Sequence, residues 1–205
     1  MPETFEYKAF INCPYDKEYA NFFQRIIYLC YKFKVEPKFS DGTAENNRMD
    51  KILNFINECN IGIHDISRTE TNERRNPRFN MPFELGLDYM HKTVNTYKKL
   101  LILDKKERQY TETISDLACL DVSAHEDEIA RLFILIRQFF VDLMELSNVN
   151  SPTALSYEYE TDFLLWLNQN LTDNQYKSLS EITMSEFSHK VKFYFRQYPE
   201  KVVSE

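Results

Sequence analysis

Along this chain the apolar positions switch repeatedly between strand-like runs and helix-like spacing. Glu6 to Asn12 (EYKAFIN) reads as a first strand, broken by Cys13-Pro14-Tyr15-Asp16. From Lys17 to Phe33 the residues Phe22, Phe23, Ile26, Ile27, Leu29, Cys30 and Phe33 recur at helical spacing. Val35 to Phe39 predicts a short second strand, ended by the turn cluster Ser40-Asp41-Gly42-Thr43. Asn46 to Asn57 predicts a second helix, with Met49, Ile52, Leu53 and Ile56 on one face. Asn60 to Ile66 (NIGIHDI) predicts a third strand, apolar enough for burial on both sides. A polar loop, Ser67 to Asn76, leads to a helix over Met81 to about His91, and Lys98 to Asp104 reads as a fourth strand. A short fifth strand is expected around Ala118 to Asp121.

This alternation with short connections predicts an α/β fold: a flavodoxin-like open, mostly parallel sheet with helices on both faces. Ligands in such sheets bind outside the carboxyl ends of the strands, where the strand order switches. Polar residues collect in the loops that follow those ends: Cys13 to Asp16, Ser40 to Gly42, and Asp65 to Arg68. After Glu126 the pattern becomes helical. Ile129 to Met144 is strongly amphipathic, Asn148 to Pro152 reads as a linker, and helices are expected over Ala154 to Asn168 and Ser185 to Gln197. Thr172-Asp173 is a candidate start for a short helix between them. The division expected is an α/β domain over 1–125 and a helical extension over 126–205, which packs on that domain or mediates assembly into a homo-oligomer.

Composition narrows the partners. The 205 residues carry a formal net charge of -7, which disfavours nucleic acid as the main partner. Aromatic residues make up 15%, with 16 Phe and 13 Tyr, and much of that must be core. Cys13, Cys30, Cys59 and Cys119 form no C-x-x-C pair and read as reduced thiols. No signal pattern and no membrane-length apolar run is visible, so the expectation is a soluble cytoplasmic protein.

The stretch richest in chemistry is Asn76 to Leu87 (NPRFNMPFELGL). It predicts a loop turning into a helix, with Asn80 as N-cap, Pro82 tolerated in the first turn, and Glu84 at the end of that turn. Gly86 follows inside the helix, at a cost of about 1 kcal/mol relative to alanine. The chain has only 3 Gly, so this one suggests a close approach by another backbone or by a ligand. No Gly-rich dinucleotide loop, Walker loop, zinc-protease motif or nucleophile elbow is present, and the four histidines are scattered, so neither a metal nor a bound cofactor is expected.

Glu84 reads in two ways. It is a helix-start charge stabilised by the dipole, or a carboxylate facing a cleft. A cleft carboxylate can attack or stabilise an anomeric carbon that becomes oxocarbenium-like as its C–N bond breaks. Asp65 is then the natural second acid, and otherwise a strand-end cap. Arg68 and Arg78 suit phosphate through bidentate hydrogen bonds, or are solvated loop charges. Tyr15, Phe79 and Phe83 suit stacking on a base, or are ordinary aromatic core.

With these residues in place, the sequence resembles the superfamily that joins TIR domains to nucleoside 2-deoxyribosyltransferases, and is most similar to its bacterial TIR-like, nucleotide-binding branch. The carrying motifs are Phe10-Ile11-Asn12-Cys13-Pro14-Tyr15-Asp16, Ile63-His64-Asp65-Ile66-Ser67-Arg68, and Arg78-Phe79-Asn80-Met81-Pro82-Phe83-Glu84-Leu85-Gly86. The resemblance covers roughly residues 5 to 125. It implies a flavodoxin-like sheet and cleavage or transfer at an N-glycosidic bond, with Glu84 as the catalytic residue. It implies, loosely, base contact by Asp65. The candidate substrate-binding residues are Tyr15, Asp16, Asp41, Arg68, Arg78, Phe79, Asn80 and Phe83. In the TIR branch the substrate is typically NAD, and bacterial members often act in defence against phages. Pro82-Phe83 stands where a Trp-Cys pair commonly precedes the glutamate. The acceptor-site signature of the transferases is absent, which favours hydrolysis over base exchange. The expectation is an N-glycosidic-bond hydrolase acting on NAD or a related nucleotide. The alternatives are a nucleotide-sensing module without catalysis and an adaptor that self-associates through its C-terminal helices.

Overall fold

A computed structural model describes residues 5–40, 47–69, 78–112, 114–173 and 179–203. The chain forms two compact units, Met1–Tyr19 with Val35–Glu128, and Ala20–Lys34 with Ile129–Glu205.

The first unit is built on five parallel strands: β1 (Tyr7–Asn12), β2 (Val35–Lys38), β3 (Ile61–Asp65), β4 (Lys99–Asp104) and β5 (Val122–Ala124). Their order is β2-β1-β3-β4-β5, the flavodoxin-like order, with the switch point between β1 and β3. Ala9 pairs with Ile61 and Asn12 with His64, so Asn12 and Asp65 end the two central strands close together. Every residue of β3 is buried, as its near-continuous apolar run requires.

Helices α2 (Arg48–Glu58) and α3 (Asn80–Val94) cover one face of the sheet. Ile52, Ile56 and Cys59 pack on Phe10 of β1, while Met81 and Leu85 pack with Ile66, Ile102 and Tyr110. Alternation along the strands puts Phe10, Asn12, Gly62 and His64 on this same face. A Cβ on Gly62 would overlap Asp88 Oδ2 and lie 2.6 Å from Leu100 Cδ2 and 2.7 Å from His64 Nε2. At Gly62 the missing side chain leaves room for the Asp88 carboxylate of α3 and for His64.

The second unit is helical: α1 (Ala20–Lys32), α4 (Ile129–Met144), α5 (Pro152–Glu158), a π-helical turn over Tyr159–Phe163, α6 (Leu164–Asp173) and α7 (Met184–Gln197). The aromatic surplus collects here. Tyr28 meets Tyr159 edge-on with centroids 5.0 Å apart, Phe163 meets Tyr194 at 5.2 Å, and Phe33 meets Phe140 at 5.2 Å. The acids that alternate with this cluster are each paired: Glu158 with Lys32 at 2.6 Å, Glu160 with Arg25 at 2.6 Å, and Asp162 with Lys201. Among the described residues no helix is long and apolar enough to cross a membrane.

Four local expectations are corrected. The fifth strand is Val122–Ala124, not Ala118 to Asp121. Leu117 and Leu120 recur at a spacing of three because Ser115–Cys119 is a 3-10 helix, in which the Leu117 N–H donates to Ile114 O and the Leu120 N–H to Leu117 O. Asn80 is not the N-cap of α3. Phe79 occupies that position in αR conformation, so no side chain caps the helix, Asn80 becomes its first residue, and Glu84 moves into the second turn. Thr172 and Asp173 lie within α6 instead of opening a new helix. Around Gly86 an added Cβ meets nothing within 4 Å among the described residues, so none of their backbone approaches it.

Candidate functional site

Three groups of polar side chains surround β1 and β3, the first running from their carboxyl ends beneath α3 to Lys98 at the amino end of β4. The Asn12 amide nitrogen donates to Met81 O at 2.8 Å and to His64 Nδ1 at 2.9 Å. Nδ1 is thus an acceptor, which places the His64 proton on Nε2, 2.9 Å from Asp88 Oδ2. Asp88 Oδ1 sits 2.5 Å from Lys98 Nζ, which also donates to Ile56 O at 2.5 Å. His64, Asp88 and Lys98 are all fully buried. Burial pushes the Asp88 carboxyl up, but hydrogen bonds from His64 and Lys98 outweigh it and hold the net value below the ordinary range. This network clamps α3 to the sheet and to the carboxyl-terminal carbonyls of α2.

The second group surrounds Asp65. Tyr19 Oη donates to its Oδ2 at 2.6 Å, the Ser67 N–H to its Oδ1 at 2.9 Å, and His125 Nε2 lies 3.1 Å from Oδ2. The Asp127 N–H donates to His125 Nδ1 at 3.0 Å, so the His125 proton is on Nε2, the nitrogen nearest Asp65. Burial raises the Asp65 carboxyl, and the His125, Ser67 and Tyr19 hydrogen bonds more than reverse this. Asp65 is fully buried, with both oxygens engaged. Nearby, Asp104 accepts from the Lys105 and Tyr110 N–H groups yet is pushed up to about 6, chiefly by burial.

Glu84 forms the third group, one turn before Asp88 on the same face of α3. It is 6% exposed. Its carboxylate oxygen lies 3.6 Å from a guanidinium nitrogen of Arg48, at the start of α2, whose own side chain is about half exposed. Burial raises the Glu84 carboxyl to about 7, and Arg48 only partly offsets it. Its charge is felt by Cys13 and Tyr15. Burial, then Asp65, Glu84 and Asp16, hold the Cys13 thiol well above its ordinary value. Burial, then Cys13 and Glu84, do the same for the Tyr15 phenol, which donates to Ile11 O at 2.7 Å. Two carboxylates one turn apart are thus driven in opposite directions, Asp88 low and Glu84 high. Such a split is a mark of functional sites.

The other residues expected at the site are arranged differently. Asp16 faces both arginines, 3.7 Å from Arg68 and 3.3 Å from Arg78, and Arg68 also lies 3.4 Å from Glu18. The Arg78 N–H donates to Arg68 O at 2.8 Å, which keeps the two loop segments together. Phe79, Asn80 and Phe83 are exposed. At about 100° per residue, Phe79 and Phe83 lie roughly 100–140° around α3 from Glu84, so they share no face with it. Asp41 lies outside the described residues. Among the described residues no group of three or more His, Cys, Asp or Glu side chains is placed to hold a metal ion. A scan against models of known protein families and a search of curated proteins both return no match.

Sequence reasoning missed Arg48, Cys13, Tyr19 and His125. Arg48 carried a signal: a cation in the first turn of a helix opposes the dipole and calls for an anionic partner. His125 carried none, since it reaches Asp65 only through the paired ends of β3, β4 and β5.

Proposed function

We propose that the protein hydrolyses the N-glycosidic bond of NAD or a related nucleotide, with Glu84 as the catalytic carboxylate. The observation that carries this reading is the state of Glu84: buried near Cys13 at the end of β1, raised to about 7, and opposed, among the described residues, by the half-exposed guanidinium of Arg48 at 3.6 Å. As the C1′–N bond lengthens, its electron pair leaves with the base and positive charge develops at C1′ and the ring oxygen. An ionised Glu84 in a low-dielectric site stabilises that charge, and water then adds at C1′ and releases its proton to solvent. A cationic nicotinamide departs neutral and needs no proton. This suits surroundings in which Asp65 is fully engaged by Tyr19, Ser67 and His125 and its role is to hold the loop. Arg48 supplies the charge for a phosphate group.

The test is incubation of the purified full chain with NAD, and separately with nucleoside monophosphates, followed by chromatography for free base. Nicotinamide release is expected, lowered at least about 100-fold by Glu84→Gln. Full activity in that variant, or no base from any substrate, overturns the reading. A second reading, nucleotide binding without chemistry, is favoured by the low exposure of Glu84. Calorimetry showing tight NAD binding with no turnover selects it.

A further inference from the structure

The outward face of α3 is apolar from end to end. Phe79 is 54% exposed, Phe83 56%, Met90 63% and Val94 74%, with Gly86 open between them. At about 100° per residue these five positions fall within roughly 80° of one another. The two carboxylates of α3, Glu84 and Asp88, both turn inward, so no acid interrupts the stripe. Among the described residues nothing in the protomer calls for a glycine at 86. It costs about 1 kcal/mol relative to alanine in a helix, yet an added Cβ meets nothing within 4 Å.

We infer that this face is the contact between two copies of the chain, with their α3 helices crossing antiparallel on a two-fold axis beside Gly86. The spacing is what points to a second copy. Phe83 and Met90 lie almost equally far before and after Gly86, and so do Phe79 and Val94. An antiparallel crossing therefore sets Phe83 against Met90 of the other copy and Phe79 against its Val94, the self-complementary pattern a two-fold contact requires. Each aromatic ring meets a thioether or a small branched side chain, a favourable pairing in shape and in sulfur–ring contact. The missing Cβ at Gly86 lets the helix axes approach at the crossing point.

The area suffices. With roughly 150–250 Å² per large side chain, the exposed fractions of these residues, with Tyr89 beside them, leave on the order of 500–600 Å² per copy. Two copies would then bury about 1,000–1,200 Å², at the low end of specific interfaces. At a net charge of -7 two copies repel, and a face without carboxylates is where they approach at least cost. By contrast, the exposed apolar side chains of the helical unit, Ile134, Tyr157, Leu165 and Phe193, sit one to a helix on α4, α5, α6 and α7. The contact goes beyond the hydrolase reading and stands without it.

Sedimentation of the full chain over a range of concentrations tests the contact, with circular dichroism to confirm that each variant is folded. A reversible monomer–dimer equilibrium is expected. Phe83→Lys alone and Met90→Glu alone should each weaken it more than about tenfold. The double variant Phe83→Lys with Met90→Glu should recover most of the loss, because in the antiparallel register each lysine faces a glutamate of the other copy. A wild-type chain that stays monomeric at every concentration overturns the inference and leaves the face to a different protein. Unchanged association in the single variants overturns it too, and absence of recovery in the folded double variant overturns the register.

Discussion

Replacing Glu84 by glutamine should make the protein more stable, and by an amount that depends on pH. The carboxyl titrates near 4.5 in the unfolded chain and is raised to about 7 in the folded one. Between those values the folded state keeps a proton that the unfolded chain has given up, so stability falls as pH rises. Below pH 4.5 both states are protonated and the group costs nothing. Above 7 both are ionised and the full penalty applies, about 3 kcal/mol. Glutamine has nearly the same shape and no charge, so it escapes the penalty. The variant should exceed wild type by about 1 kcal/mol at pH 5 and about 3 kcal/mol at pH 8. At about 2–4 °C per kcal/mol for a chain of this size, thermal melting should show the gap in Tm widening by several degrees across that window. Parallel Tm–pH curves for the two proteins would refute the buried environment assigned to Glu84. A glutamine variant less stable than wild type at every pH would show that the Arg48 contact holds the fold together, leaving Glu84 a structural residue.

The two described glycines of the first unit should answer the same substitution with opposite signs. Gly62→Ala drives a methyl into Asp88 and His64 and should destabilise by about 3 kcal/mol or more, whereas Gly86→Ala should stabilise by up to about 1 kcal/mol in dilute, monomeric samples. Chemical denaturation measures both, and equal effects would contradict the placement of α3. Asp65→Asn turns an amide towards donors from Tyr19 and His125 and should cost about 2–4 kcal/mol in thermal or urea unfolding; a neutral result would mean that Asp65 is not held as described. Lys98→Met strands a buried Asp88 and should cost about 3–5 kcal/mol, with Asp88→Asn in the same background recovering a substantial part.

Much of the first unit could be read from apolar spacing, because β1, β3 and β4 are short apolar runs with few alternatives. The start of α3 could not. Asn80 is a good capping residue, but its backbone is already helical, and the cap position falls to Phe79, whose side chain has no acceptor. The scarcity of glycine did mark a close approach, but at Gly62, against a side chain 26 positions later in the chain. The expectation had fallen on Gly86. Glu84 stood out as a helix-start acid, while its burial and its Arg48 partner depend on how α2 meets α3, which spacing does not encode. His125 and Tyr19 reach Asp65 from far along the chain, and a single sequence gives no measure of such pairings.

The first network explains how Glu84 can be kept where it is. A carboxylate that costs the fold about 3 kcal/mol when ionised would ordinarily escape, by fraying the helix end or rotating into water. Here α3 is gripped on both sides of it. Asn12 holds Met81 O three residues before, and His64 with Lys98 holds Asp88 four residues after. The grip is made of buried hydrogen bonds whose loss would itself cost several kcal/mol, so the cheaper arrangement is to leave Glu84 in place and let its proton come and go. The inward face of α3 thus carries one carboxylate fixed in its charge beside another whose charge is free to respond to what binds. A cationic ring beside Glu84 would favour its ionised form, and binding and the charged state of Glu84 would strengthen each other.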